Sequence, residues 1–267
     1  MTKSNKEIAL EVLTRAFTDR DPTVVEQLFS VNYKQHNPAI PDGPAAIAKM
    51  IPTLTNLRYE PGMAIAAGNL VMVHGRYTGW GPKPMVAVDI FRVEGGKVLE
   101  HWDVLQEEVP IASTASGNPM FTKPREGESA AISKEAVMTA RNVVDENKRL
   151  VTEFYELAVN QQKPAEAARK YIGLPYRQHN PEVVDGPDGF VQFIGGMQKK
   201  HPTLRVVISK VLGDDDLVAL HVHLTREAND PGLAIAELFR VKNGKIIEHW
   251  DVVQPVPAKT VSGNSMF

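Results

Sequence analysis

Along the first third of the chain the apolar positions recur at helical spacing, and after that they alternate. Ala9, Val12, Leu13, Ala16 and Phe17 fall on one face of a helix, and Ser4 with Glu7 forms a capping box at its start. Asp21-Pro22 reads as an N-cap followed by a first-turn proline. It opens a short helix that carries Val25, Leu28 and Phe29 inward. Gly43-Pro44 opens a third helix, which Pro52 should stop. From Leu57 the period becomes two, and strands are predicted over Leu57–Ala66, Leu70–Thr78, Pro84–Val93 and Lys97–Gln106. The last two form a hairpin across Gly95-Gly96, where a two-residue turn needs positive φ.

The same plan is then written again. YKQHNP (Tyr33–Pro38) returns as YRQHNP (Tyr176–Pro181), and IFRVEGGKVLEHWDVLQ returns as LFRVKNGKIIEHWDVVQ. SGNPMF (Ser116–Phe121) returns as SGNSMF at Ser262–Phe267. The repeat is too long for a solenoid unit and marks a tandem duplication of a whole domain. A helix bearing Leu150, Phe154 and Leu157 opens the second copy, and a hairpin across Asn243-Gly244 nearly closes it. TKPREGESAAIS (Thr122–Ser133) reads as linker, giving copy one over 1–121, a linker over 122–140 and copy two over 141–267. Helices followed by a mostly antiparallel sheet make each copy α+β. A curved sheet closed by helices on one side would be a cone-shaped barrel around a cavity.

Composition narrows the function. With 267 residues, 43% hydrophobic and 23% charged, the chain is an ordinary globular protein of about two domains. A net charge of −2 offers no electrostatic reason for nucleic acid or an anionic membrane as partner. The absence of cysteine removes disulfides, thiolate catalysis and cysteine-ligated metals. No apolar run reaches the ~20 residues that span a bilayer, and the N-terminus is a poor signal peptide, so a cytoplasmic protein is expected.

The chemistry concentrates in the repeated EHWD. On a strand His101 and Asp103 share one face, and Glu100, Trp102 and Val104 share the other. The hairpin can bring Asp89 near them. In copy two the counterparts are His249, Asp251 and Glu237. A His and two carboxylates on a helix-covered face are costly to bury without a polar purpose. The plainer alternative is an edge strand with an ordinary salt bridge. Further candidates are His36 and Asn37, with His179 and Asn180, in the His-Asn-Pro loops, and His74 and His221 in mid-strand. Each has a plainer reading as a turn or sheet residue.

YKQHNP, the following Asp-Gly-Pro, the FRVEGGKVLEHWDVLQ hairpin and the GNPMF tail together resemble the SnoaL-like branch of the nuclear transport factor 2-like superfamily. More closely they are similar to the predicted SnoaL-like aldol condensation-catalysing enzymes, over essentially the whole chain outside the linker. In the polyketide cyclases of this family one Asp after the hairpin is the general acid/base, without metal or cofactor, and Asp103 and Asp251 hold that position. The cyclases carry a His where this chain has Asp89 and Glu237, and a Gln where it has Ala87 and Ile235 or a near neighbour. Their Asn in the helix-loop region matches Asn37 and Asn180, in different surrounding spacing. The resemblance therefore implies a cofactor-independent acid/base enzyme on a small carbonyl compound, catalysing an aldol-type cyclisation or a related isomerisation or hydrolysis in an apolar cone. In it Asp103 and Asp251 act with His101 and His249, which orient the carboxylate or bond an oxyanion. His36, Asn37, His74, Asp89, His179, Asn180, His221 and Glu237 would line the substrate. No metal is implied, and the partners are a small molecule and the other copy, in an intrachain pseudo-dimer that leaves a further homo-oligomer open. Two alternatives stay open: a non-catalytic binding module, and a metal site gathered from His36, His74, His101 and Asp103.

Overall fold

The computed structural model describes residues 3–123 and 134–267, and of 134–141 the backbone alone. The chain forms two compact units, one of Met1–Glu108 with Val252–Phe267 and one of Val109–Asp251. These units are a different division from the sequence copies, because each takes in the tail segment that the sequence attaches to the other copy.

In the first unit, helix α1 (Asn5–Thr14) starts at Ser4, whose hydroxyl accepts from the Glu7 amide while the Glu7 side chain accepts from the Ser4 amide. This satisfies donors that a helix start otherwise leaves open. The helix buries Ile8, Ala9, Val12 and Leu13 and continues as a π-helical turn, Arg15–Asp19. Helix α2 (Thr23–Leu28) leads directly into strand β1 (Phe29–Gln35). Phe29 thus begins a strand that the apolar pattern does not predict. Phe29, Tyr33 and Gln35 turn inward while Val31 is 87% exposed, so apolar alternation is missing. Helix α3 (Pro44–Met50) follows Gly43, which adopts φ 87, and gives way to a single tight turn containing Pro52.

Strands β2 (Arg58–Ala67), β3 (Leu70–Thr78), β4 (Met85–Glu94) and β5 (Lys97–Glu107) complete the unit's sheet in the order β1-β5-β4-β3-β2. Gly95 and Gly96 both take positive φ in the β4–β5 turn, as a two-residue hairpin with right-handed twist requires. β2 to β5 pair antiparallel and β1 lies parallel to β5. Two corrections to the sequence reading follow. The sheet is open, with β1 and β2 as its edges, and no barrel closes. The EHWD strand β5 is interior, because the unpredicted β1 covers its flank.

The second unit repeats this order. Helix α4 (Lys134–Tyr155) ends in a π-helical turn (Glu156–Asn160), followed by α5 (Pro164–Tyr171), β6 (Ile172–Gln178) and α6 (Pro187–Lys200). Strands β7 (Arg205–Asp214), β8 (Leu217–Thr225), β9 (Leu233–Lys242) and β10 (Lys245–Pro255) give the order β6-β10-β9-β8-β7. Helix α4 begins within the 122–140 segment read as linker, and residues 124–133 of that segment lie outside the described residues. No helix among the described residues is long and apolar enough to cross a membrane.

The tail segments dock on the His-Asn-Pro loops. In the first unit Asn264 Nδ2 donates to the Gln35 carbonyl at 2.9 Å, and His36 Nδ1 meets the Ser265 carbonyl at 2.6 Å. In the second, Asn118 Nδ2 donates to the Gln178 carbonyl at 3.0 Å and His179 Nδ1 meets the Pro119 carbonyl at 2.6 Å. Met120 and Met266, in the same tails, are buried.

Candidate active site

The β4–β5 register sets Asp89 opposite Asp103 and Phe91 opposite His101, so the sheet face under α1 and α3 carries a polar cluster inside an apolar wall. All three polar residues are buried. His101 Nε2 lies 3.1 Å from Asp89 Oδ1, and the Tyr77 hydroxyl on β3 donates to both Asp89 oxygens at 3.0 and 3.1 Å. Asn37 Nδ2 donates to Asp103 Oδ2 at 2.7 Å. The Ala39 amide donates to Asn37 Oδ1, which fixes which end of that side-chain amide faces the carboxylate. Asp103 Oδ1 is buried with no hydrogen-bond partner among the described residues.

The second copy builds the same cluster from slightly different parts. Asn180 Nδ2 donates to Asp251 Oδ2 at 2.6 Å, the Glu182 amide fixes Asn180, and Asp251 Oδ1 is again without a partner. His249 Nε2 stands 2.5 Å from Glu237 Oε2. The other Glu237 oxygen accepts from the Tyr155 hydroxyl on α4 at 2.5 Å.

Burial raises the Asp103 carboxyl to about 6, helped by the charge of Asp89 and opposed by His101 and by the bond from Asn37. Asp251 is likewise raised to about 6 by burial and Glu237. Burial by itself would lower His101 and His249, but the adjacent carboxylates outweigh it and both histidines are raised.

A narrow cavity of about 30 Å³ borders the first cluster, enclosed by Phe29, Tyr33, Ile47, Tyr77 and Phe91 and by Trp80, which is 44% exposed. It has room for on the order of one or two waters.

Not every predicted residue joins these clusters. His101, Asp103, Asp89 and Asn37 converge, as do His249, Asp251, Glu237 and Asn180. His74 pairs with Val88, on the face opposite to Val73 and Asp89, and His221 pairs with Ala236, opposite to Leu220 and Glu237. His36 and His179 stack on Trp102 and Trp250, on the other side of the EHWD strand, with ring centroids 4.5 and 4.6 Å apart. The metal set of His36, His74, His101 and Asp103 is therefore not assembled. The trios that offer ligand atoms within 4.8 Å of one another are Asp89, His101 and Asp103, and Glu237, His249 and Asp251. Residues that the sequence reading left out are Gln35, Tyr33 and Tyr77, and Gln178, Tyr176 and Tyr155. The repeated Tyr-x-Gln was the available signal for the first pair in each copy. It puts two polar side chains on one face of an unrecognised strand.

A family model, described as a SnoaL-like domain, matches residues 10–101 and again 151–249. The chain belongs to the SnoaL-like family. Its two SnoaL-like copies each have an α+β fold built on a five-stranded mixed sheet. No curated protein matches the chain in sequence. Among solved structures, a Jannaschia sp. CCS1 protein provisionally named a SnoaL-like polyketide cyclase is similar over 47% of this chain and 92% of its own, at 17% identity and a TM-score of 0.37. TsrD from Streptomyces laurentii is similar over 40% of this chain and 91% of its own, at 17% identity and a TM-score of 0.34. A Bacillus cereus ATCC 10987 protein provisionally named a polyketide cyclase is similar over 37% of this chain and 72% of its own, at 20% identity and a TM-score of 0.34. In both SnoaL-like copies the Asp expected as acid/base sits against an Asn and a His–carboxylate pair.

Proposed function

We propose that each SnoaL-like copy is a cofactor-independent general acid/base site acting on a small carbonyl compound. Its chemistry is that of an aldol-type condensation or cyclisation or a related isomerisation, with Asp103 and Asp251 as the bases. The observation that carries this reading is the buried, partnerless Oδ1 of Asp103, repeated at Asp251 Oδ1. A buried polar atom without a partner is costly. Here its fellow oxygen is fixed by Asn37 or Asn180, so the open lone pair is held in one direction. A carboxylate raised to about 6 is largely ionised at neutral pH and still basic enough to take a proton α to a carbonyl. The apolar enclosure of Phe29, Ile47 and Phe91 supports a small, largely apolar substrate.

In a simple binding module nothing would require a carboxylate so displaced from its ordinary range. The two readings separate in one experiment. The protein is incubated in deuterium oxide with a panel of small ketones and aldehydes, and loss of α-protons is followed by NMR. Enzyme-dependent exchange that disappears in the Asp103→Asn/Asp251→Asn double variant is expected. If no carbonyl compound exchanges while ligands still bind, the binding-module reading takes its place.

A further inference from the structure

The side chain of Gln35 makes four contacts at the edge of the first cluster. Its Oε1 accepts from the Asn37 amide and the His36 amide, both at 2.9 Å, and faces His101 Nδ1 at 3.0 Å. Its Nε2 donates to the Tyr33 hydroxyl at 2.9 Å. A peptide N–H can only donate, so the end of the side-chain amide that meets Asn37 N is the oxygen. His101 Nδ1, facing that oxygen, must then carry a proton. Its Nε2 faces Asp89, a carboxylate that already accepts from Tyr77, and the proton between them completes an imidazolium. The Tyr33 hydroxyl, accepting from Gln35 Nε2, keeps its own proton for another acceptor, and Tyr33 lines the cavity beside Asp103.

The second copy repeats three of these links, without the one from the preceding His amide. Gln178 Oε1 accepts from the Asn180 amide at 2.9 Å and faces His249 Nδ1 at 2.8 Å, while Nε2 reaches the Tyr176 hydroxyl at 3.4 Å.

We infer that Gln35 and Gln178 are positioning residues, which hold His101 and His249 as imidazolium cations and leave the hydroxyl protons of Tyr33 and Tyr176 for a bound ligand. One amide thereby sets the sign of two neighbours: a fixed cation beside the base, and a donor for a developing oxyanion. The charged and titratable groups around His101 are Asp89 from β4, Asp103 from its own strand, Tyr77 from β3 and Tyr33 from β1. The helices add only Val12, Ala16, Phe17, Ile47 and Met50 to the cavity wall. Around His249 they are Glu237, Asp251 and Tyr155. With Nε2 protonated, neither His has a lone pair for a metal ion. The trio that could ligate one is loaded with a proton instead.

The protonation states stand without the catalytic reading; only the role of Tyr33 rests on it. The first measurement is nitrogen-15 NMR of the histidine rings in the unmodified full chain, with and without added zinc. Both ring nitrogens of His101 and His249 are expected to carry protons at neutral pH and above the ordinary value of 6.5, undisturbed by zinc. A neutral His101, or one whose Nε2 signal moves with stoichiometric zinc, overturns the inference.

Two substitutions then separate its halves. Gln35→Met removes the acceptor, so His101 should become neutral at neutral pH while His249 stays charged; an unchanged His101 overturns the role of Gln35. Gln35→Glu keeps the acceptor, and His101 should remain charged. The new carboxylate takes the Tyr33 proton, so proton exchange in an Asp251→Asn background should fall about tenfold or more. Exchange at the parent rate would overturn the Tyr33 half. Absence of exchange in the unmodified protein would sink the acid/base reading and leave the NMR result standing.

Discussion

The two SnoaL-like copies reach one arrangement by different routes. In the first, a short carboxylate, Asp89, accepts from a tyrosine on its neighbouring strand, Tyr77. In the second, a carboxylate one methylene longer, Glu237, accepts from a tyrosine on a helix, Tyr155. The sheet positions correspond: Asp89 faces Val73, four residues before Tyr77, and Glu237 faces Leu220, four residues before Leu224. Leucine therefore replaces the strand tyrosine where the helix supplies one. Residue identity at the second carboxylate is free to change, but a carboxylate that is bonded by a tyrosine and presses on the imidazole is kept. The structural requirement is for the imidazole's partner, and it is met by reach from either side.

The strongest way to break this comparison is to remove both bases. Asp103→Asn and Asp251→Asn singly should each leave a substantial part of the exchange activity. The double variant should lose about 10²–10⁴ in rate. Either single change abolishing activity in a protein still folded by circular dichroism would mean that the copies are not equivalent sites.

Next in size is the response to pH. Both bases are raised to about 6, and only the ionised form accepts a proton. Activity from either copy should therefore fall as pH drops through about 6. Limbs that differ widely between the two single variants would show that Asp89 and Glu237 are not interchangeable.

A sharper test converts one copy into the other. In an Asp103→Asn background, Glu237→Asp withdraws the carboxylate from Tyr155 and should slow exchange by roughly tenfold, as expected for a lost hydrogen bond to a charged group. Adding Leu224→Tyr supplies a donor at the position that Tyr77 holds in the first copy, and should restore most of the rate. Failure of the second change to rescue would show that reach alone does not explain the difference.

Smaller, and read in stability, is the cost of the buried base. The folded carboxyl of Asp103 is raised from 3.8 to about 6. Between those values the folded state holds a proton that the unfolded chain has released, so stability falls as pH rises through this window and the loss is complete above it. Asp103→Asn removes the penalty and should stabilise the protein at neutral pH by on the order of 3 kcal/mol, with little gain below pH about 4. Thermal unfolding at the two pH values measures this. The least effect is expected from deleting Ser262–Phe267. Losing the buried Met266 and the Ser265 contact to His36 should lower stability by roughly 1–3 kcal/mol and disturb the site of the first unit more than that of the second. Equal disturbance of both sites would count against assigning this tail to the first.

Much of this architecture is legible in the residues because local rules and tertiary demands agree. The Ser4–Glu7 cap, the Gly95-Gly96 and Asn243-Gly244 hairpins and the alternating strands are each fixed within a few residues. The strand β1 is not, since its inward residues are Phe29, Tyr33 and Gln35 and its burial depends on a partner, β5, some seventy positions away. The same gap hides part of the site. Without β1, Gln35 and Tyr33 have no face, and His36 looks as available as Asn37. The alternation rule places His101 and Asp103 together, but only the register tells that Asp89 meets Asp103 and that His74 lies on the opposite face.

The borrowed tails also impose an order on synthesis. The second unit, Val109–Asp251, is one uninterrupted stretch, whereas the first is made in two pieces with the whole of the second between them. On a ribosome adding about 5–20 residues per second, the first piece waits roughly 7–30 s for its closing segment. During that interval its His-Asn-Pro loop lacks Asn264 and Ser265, while the second unit can already be finished. The earlier-made half of the molecule is therefore the later one to mature, and a gene cut at the linker would yield two halves each carrying the other's closing segment.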